Sequence, residues 1–217
     1  MDNVLIAVDG PAGAGKSTIA KIVAQKLNIN YIDTGAMYRA VTYKCLQNGV
    51  DIEDEGAVVQ VAKNTDIDFK DNNIYLDGNI INEEIRTVDV SNKVSKVSKI
   101  GEVREILVDV QRKIGSMTSA ILDGRDIGSI VFPNAEFKFY LIASPEERGL
   151  RRFKEMKEKG YEVDLSKIVD DIVARDEMDM NREHAPLVRA HDAVEIDTTG
   201  KSIDEVVCEV VSHIQGN

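Results

Sequence analysis

The chain has 217 residues, enough for one α/β domain with an insertion and a substantial core, and 43% of them are hydrophobic, ordinary for a globular protein in water. No apolar stretch approaches the roughly 20 residues of a membrane span, and no charged leader precedes the first apolar run, so no membrane partner and a cytoplasmic location are expected. The 38 acidic and 27 basic residues give a formal net charge of −11, which argues against a nucleic-acid partner and leaves small polyanions, whose binding requires arginines gathered in a cleft against the overall field. Cys45 and Cys208 lie far apart without a C-x-x-C pattern and are expected as reduced, buried thiols. His184, His191 and His213 have no metal-ligand spacing and are expected at the surface or at helix ends.

In chain order, Val4-Leu5-Ile6-Ala7-Val8 reads as a buried strand and runs into Gly10-Pro11-Ala12-Gly13-Ala14-Gly15-Lys16-Ser17-Thr18, which fills every defined place of the phosphate-binding pattern G-x-x-x-x-G-K-S/T. Glycines let successive backbone N–H groups turn inward around a triphosphate, and the helix that begins near Gly15 adds its unpaired N–H groups and positive dipole end. Lys16 would reach the β- and γ-phosphates of ATP, Ser17 would offer its hydroxyl to Mg²⁺, and Thr18 would line the pocket from the helix. The alternative is a glycine-rich turn that only joins strand to helix.

Ala20, Val23, Ala24 and Leu27 recur at helical spacing, and Asn28 to Asn30 break the helix. Tyr31-Ile32 leads to Asp33, Thr34 and Gly35, after which residues 36–47 read as a helix stopped by Asn48-Gly49. Ile67, Phe69, Ile74, Leu76, Ile80 and Ile81 flank turn signals at Asp71-Asn72-Asn73 and Asp77-Gly78, which predicts a small antiparallel hairpin or meander inside an inserted subdomain of about residues 51–95. Residues 101–115 are helical in pattern, Ala120-Ile121-Leu122 is a second buried strand ending at Asp123, and Phe137 to Ala143 is a third. Ser144-Pro145-Glu146-Glu147 starts a charged helix ending near Gly160. A helix over about 165–182, a strand over 193–196 and a closing helix over 202–214 complete the chain. Strands alternating with helices predict a three-layer α/β fold with a parallel five-stranded sheet covered on both faces.

A phosphate loop alone does not separate a kinase from a GTPase or a mechanical ATPase. Transfer of a phosphoryl group onto a second phosphate brings many negative charges together and demands cations around both. Arg39, Arg125 and Arg182 each end a predicted element in a polar cluster, although singly each also reads as a surface residue or salt-bridge partner.

Four stretches then carry a resemblance: Asp33-Thr34-Gly35-Ala36-Met37-Tyr38-Arg39; Val103-Arg104-Glu105; Asp123-Gly124-Arg125-Asp126-Ile127-Gly128 with Val131-Phe132-Pro133; and Arg175-Asp176 through Asp179, Asn181-Arg182 and Ala185-Pro186-Leu187. In order and spacing, over nearly the whole chain, these resemble the bacterial cytidylate kinases. The resemblance implies transfer of the γ-phosphoryl of ATP to CMP or dCMP. It places acceptor-phosphate contacts on Arg39, Arg125 and Arg182, cytosine contacts on Ser95, Arg104 and Asp126, pentose contacts on Arg175 and Asp179, and Thr34 beside the acceptor. Asp126 suits the exocyclic amine that cytosine has and uracil lacks, and its alternative role is a salt bridge to a neighbour such as Arg125.

The resemblance also implies a lid over about residues 148–162, whose Arg148 and Arg151 are expected to face inward with Arg152 beside them, unless this charged helix is only a solvated face. Asp33 or Asp123 would orient a water on Mg²⁺. The acceptor phosphate is already ionised, so no general base and no phosphoenzyme are expected, and the protein is expected to act as a monomer on small nucleotides. Met178 and Met180 stand in a segment where the family often carries another basic residue. Two rivals are weighed against this reading. A kinase for adenylate, uridylate or shikimate lacks a reason for the Ser95, Arg104, Asp126 set, and a regulatory nucleotide switch lacks an N-K-x-D motif here.

Overall fold

The computed structural model describes residues 3–70 and 73–216. In chain order the elements run β1 (Leu5–Asp9), α1 (Lys16–Leu27), β2 (Asn30–Asp33), α2 (Thr34–Gln47), α3 (Glu55–Lys63), β3 (Ile67–Lys70), β4 (Asn73–Leu76) and β5 (Asn79–Ile80). After a 3-10 turn (Glu84–Arg86) come α4 (Val88–Ser98), α5 (Gly101–Ser116), β6 (Ala120–Asp123), a π-helical turn (Ile127–Val131), β7 (Phe137–Ile142), α6 (Pro145–Glu158), α7 (Leu165–Asn181), β8 (Val194–Asp197) and α8 (Ile203–Gln215).

Five strands form one parallel sheet in the order β2-β6-β1-β7-β8, as the alternation of strands and helices requires. Side chains alternate across it. Ile6, Val8, Ile121 and Phe139 pack against Ile19, Val23 and Val207 of α1 and α8, while Ala7, Ile32 and Leu122 pack against Met37, Val41 and Leu107 of α2 and α5. The parallel register sets Asp33 beside Asp123 and Asp123 beside Val8, so three strands present Asp9, Asp33 and Asp123 at the same edge, the carboxyl ends where open α/β sheets receive ligands.

The expected meander is the antiparallel sheet β3-β4-β5. Its Asp77-Gly78 turn has positive φ at both residues, 48° and 81°, the primed geometry that matches strand twist. Asp71 and Asn72, of the other turn, lie outside the described residues. Two helices in this part of the chain, α3 and α4, were absent from the sequence expectations. Each is short and β-branched, but Asp54 and Thr87 cap them by accepting from Ala57 and Val90, and α4 packs on α2 with Val94 and Val97 in the shared core. Cys208 also departs from expectation. Cys45 is buried, but Cys208 lies on the outer face of α8, because Val206, Val207 and Val210 form the face turned to the sheet. His184 and His191 are exposed and His213 lies in the last turn of α8, as expected.

Candidate active site

The phosphate loop leaves the end of β1 and closes at the N-terminus of α1. Gly10 has φ 140°, and a Cβ there would lie 2.0 Å from the Leu141 carbonyl oxygen, so only glycine lets the loop turn against β7. Gly13, at φ 78°, faces the Arg148 side chain at a distance that leaves a Cβ only 3.1 Å. Residues 12–18, Thr18 included, line a cleft of ≈ 1610 Å³, and Gly10 and Pro11 do not.

Lys16 is buried and its Nζ donates to the Pro11 carbonyl at 2.7 Å. Burial, then the Arg125 guanidinium, holds its pKa well below the ordinary lysine value, against the pull of Asp123 and Asp9. The Ser17 hydroxyl donates to Asp123 at 2.6 Å, and the Tyr31 hydroxyl donates to the other Asp123 oxygen at 3.0 Å. Burial and the neighbouring Asp33 raise the Asp123 pKa. Asp33 is committed elsewhere: it caps α2 through the Ala36 N–H at 2.9 Å and takes Arg39 at 2.7 Å and Arg86 at 3.5 Å. Burial alone would raise its pKa, but the two guanidinium groups and the N–H hold it below the usual carboxylate value.

Among the described residues no group of three or more His, Cys, Asp or Glu side chains could hold a metal ion. The Ser17 hydroxyl with the adjacent Asp123 carboxylate instead offers a sparse set of hard oxygens beside the glycine cradle. That suits Mg²⁺, which takes one or two protein ligands and completes its shell with water and substrate phosphates.

The opposite wall is built by α2, α4, α5, the π-helical turn and α7. Arg104 of α5 lies over the Tyr38 ring at 5.1 Å, donates to the Ser98 carbonyl at 2.9 Å and pairs with Asp126 at 2.5 Å. Asp126 thus pairs across the cleft wall rather than with its neighbour Arg125, which pairs with Asp179 at 3.0 Å. Arg182 sits 3.8 Å from both Asp126 and Asp179, and its Nε donates to the Ala185 carbonyl. Burial works to raise the Asp179 pKa, but Arg125 and Arg175 bring it below the usual range. Arg175 is itself pushed down to about 10 by burial and by Arg125. Ser95 lines the cleft from α4, and the Thr34 hydroxyl donates to the Asp123 carbonyl at 2.8 Å. Four buried guanidinium nitrogens, Nε of Arg39, Arg104 and Arg175 and one terminal nitrogen of Arg182, have no hydrogen-bond partner among the described residues. These four side chains line one cavity, so their positive charge is gathered there even where single nitrogens are sealed from it.

The α6 arginines divide into two kinds. Arg148 and Arg151 both line the cleft as expected, yet both are engaged: Arg148 pairs with Asp176 at 2.6 Å and donates to the Ala12 and Ala143 carbonyls, and Arg151 donates to Thr198 and pairs with Glu147. Arg152 also lines the cleft and has no hydrogen bond or ion pair to another described residue. Sequence reasoning passed over Asp176, which accepts the Ala12 N–H at 3.4 Å, and also Arg86 and Asp9. Asp9 adjoins the phosphate loop and Asp176 stands within a quoted stretch without a role, while Arg86 adjoins no motif and had no signal. Met178 lines the cleft and Met180 is exposed.

This fold is shared with solved structures of low identity. A gluconokinase from Sinorhizobium meliloti 1021 matches 98% of this chain and 91% of its own at TM-score 0.50 and 13% identity, and an uncharacterized protein from Eubacterium ventriosum ATCC 27560 matches 99% and 100% at TM-score 0.57 and 12% identity. Sequence relatives are much nearer. The cytidylate kinase family model matches residues 6–216. A cytidylate kinase of Clostridioides difficile (strain 630) is 70% identical over 214 residues, 99% of each chain, and one of Alkaliphilus oremlandii (strain OhILAs) is 56% identical over the whole of both. Because the family model spans residues 6–216 and the 70% identity holds over 99% of both chains, the chain belongs to the cytidylate kinase family.

Proposed function

We propose that the protein transfers the γ-phosphoryl of ATP to CMP or dCMP, giving ADP and CDP or dCDP, with Mg²⁺ and without a covalent enzyme intermediate. The observation that carries this reading is that Lys16 and the arginines Arg39, Arg125 and Arg182 line a single cavity. An oxygen of the acceptor phosphate forms the new bond to the γ-phosphorus while the bond to the β–γ bridging oxygen breaks, so the protein's task is alignment and charge stabilisation. Residues 12–17 would hold the donor phosphates, with Lys16 moving its ammonium from the Pro11 carbonyl to the transferring group. Ser17, backed by Asp123, would hold Mg²⁺, which supplies charge neutralisation at the phosphates when bound.

Arg39, Arg125 and Arg182 would hold the acceptor phosphate, with Thr34 beside it, and Arg175 and Asp179 the pentose. Ser95, Arg104 and Asp126 would read cytosine, Asp126 accepting from the exocyclic amine. The lid arginines would exclude water, and the unpaired Arg152 is the one whose guanidinium is free to approach the transferring phosphoryl without breaking a contact. In this reading the chain is one kinase domain with a nucleotide-binding insertion over about 51–95 and a lid over about 148–162. It would act as a monomer on small nucleotides, and a nucleoside triphosphate donor suits the cytoplasm. A coupled assay of ADP release with CMP, dCMP, UMP, AMP and shikimate tests it. Turnover highest with CMP and dCMP is expected, and preference for AMP or shikimate, or no turnover with any, would overturn it.

A further inference from the structure

Asp9 ends β1 and immediately precedes the first glycine of the phosphate loop. It is 5% exposed, and its carboxylate meets no cation at hydrogen-bond distance among the described residues. Its side-chain partners are two consecutive backbone N–H groups, that of Ile127 donating to one oxygen at 2.9 Å and that of Gly128 to the other at 2.7 Å. The neighbouring lysines are engaged elsewhere, Lys16 with the Pro11 carbonyl and Lys138 with Asp192 at 2.7 Å. Burial, helped by the nearby Asp126 carboxylate, pushes Asp9 up to about 6 against the lowering effect of the two N–H groups. For stability alone, a buried carboxylate without a counter-ion is a poor choice at this position.

What the two hydrogen bonds hold is the π-helical turn Ile127–Val131, entered through Arg125 and Asp126. Gly128 permits the close approach, since a Cβ there would lie 3.4 Å from the Asp9 carboxylate and 3.2 Å from the Lys138 side chain. From the fixed turn, Asp126 extends to Arg104 and Arg125 to Asp179. Asp9 does not itself line the cleft. We infer that Asp9 is a positioning residue for the acceptor nucleotide, tying the turn that carries Arg125 and Asp126 to the strand that enters the phosphate loop, so that both substrate sites share one anchor. The inference rests on the reading of Arg125 and Asp126 as acceptor contacts.

Asp9→Asn keeps the shape but turns an amide N–H group toward one of the two backbone donors, so one hydrogen bond is lost and the turn shifts. Steady-state kinetics on this variant should show KM for CMP raised about tenfold or more, equivalent to about 1.4 kcal/mol, with KM for ATP changed by less than about twofold and the preference for CMP over UMP reduced. Asp9→Glu, which keeps the charge but displaces the turn by a methylene, should give the same split at smaller amplitude. Faster hydrogen exchange at the Ile127 and Gly128 amides of Asp9→Asn reads the anchoring independently of any substrate. If wild-type protein fails to phosphorylate CMP, the acceptor reading falls, while unchanged exchange at those amides overturns the anchor. Equal changes in KM for CMP and ATP, an unchanged KM for CMP in folded Asp9→Asn, or failure of both variants to fold would make Asp9 a residue of general structure and overturn the proposal.

Discussion

Replacing Asp126 with Asn separates a nucleobase contact from a structural ion pair, because the cleft predicts a different size for each loss. Asp126 lies 2.5 Å from Arg104 and 3.8 Å from Arg182, and all three side chains are only 5–6% exposed. Burial tends to deprotonate Arg104, but the Tyr38 and Asp126 neighbourhood keeps its pKa above the ordinary value, so the guanidinium cannot relieve itself by losing a proton. Breaking one side of such a pair costs about 3–5 kcal/mol. Asn retains an acceptor for Arg104, which puts the variant at the lower end, about 3 kcal/mol, and lowers Tm by roughly 6–12 °C at about 2–4 °C per kcal/mol for a chain of this size. The base contact adds a separate loss. A hydrogen bond to a charged group contributes about 1.5–3 kcal/mol, so kcat/KM for CMP should fall by about 10- to 150-fold beyond any loss shared with UMP. The amide of Asn can donate to the 4-oxygen of uracil, so UMP should lose less. ADP release with CMP and with UMP, read beside thermal unfolding, distinguishes the two roles. A Tm that falls as calculated while the CMP to UMP ratio stays within about threefold of wild type would show Asp126 to be only a partner for Arg104.

Lys16→Ala should abolish turnover with every acceptor while CMP still binds in calorimetry, since the lysine is proposed for the donor side, and residual turnover above about 1% would contradict its proposed role at the transferring phosphate. Arg152→Ala should lower kcat at least about tenfold with Tm unchanged, because the side chain has no hydrogen-bond or ion-pair partner among the described residues to lose, whereas an unchanged kcat would return the lid chemistry to Arg148 or Arg151. The pH dependence of stability follows from Asp9. Its folded pKa of about 6 exceeds the ordinary 3.8, so the folded protein binds this proton more tightly than the unfolded chain does, and the stabilisation is complete below about pH 4 and lost as pH rises through 6. Relative to Asp9→Asn, the wild type should therefore lose about 2.4 kcal/mol between pH 4 and pH 7 in urea unfolding, and a difference independent of pH would refute the shift.

The donor side was legible because a triphosphate dictates the order of glycine, lysine and hydroxyl along the chain, and the strand and helix around it have strong periods. The acceptor side was legible only through resemblance, since nothing in spacing pairs Arg104 with Asp126 or Arg125 with Asp179, which is 54 positions away. Adjacent Arg125 and Asp126 suggested a local salt bridge, yet they take partners from α7 and α5. The helices α3 and α4 escaped notice for a different reason. Valine, serine and asparagine are weak helix formers, and α4 is held by burial of Val90, Val94 and Val97 rather than by propensity. Asp9 was hidden because its partners are backbone groups of a distant turn, and Asp176 because it meets the Ala12 N–H and the Arg148 side chain across long stretches of chain, which no local pattern records.

A net charge of −11 works against the binding of polyanions, yet carboxylates in and beside the cleft each hold an arginine in place. Asp33 holds Arg39 and Arg86, Asp126 holds Arg104, Asp179 holds Arg125, and Asp176 holds Arg148. None of these pairings exhausts the donors: Nε of Arg39, Arg104 and Arg175 and a terminal nitrogen of Arg182 stay buried and unmatched. The ordering of each guanidinium is therefore met during folding rather than at the moment a nucleotide binds, with the arginines already held along one cavity. Neutralising these carboxylates would make the cleft more positive and still weaken it, because the arginines would lose their aim. Acidity in this chain is thus compatible with phosphate recognition, with the fixed carboxylates setting the direction of the cations and the substrates supplying the counter-charge that the carboxylates leave unmet.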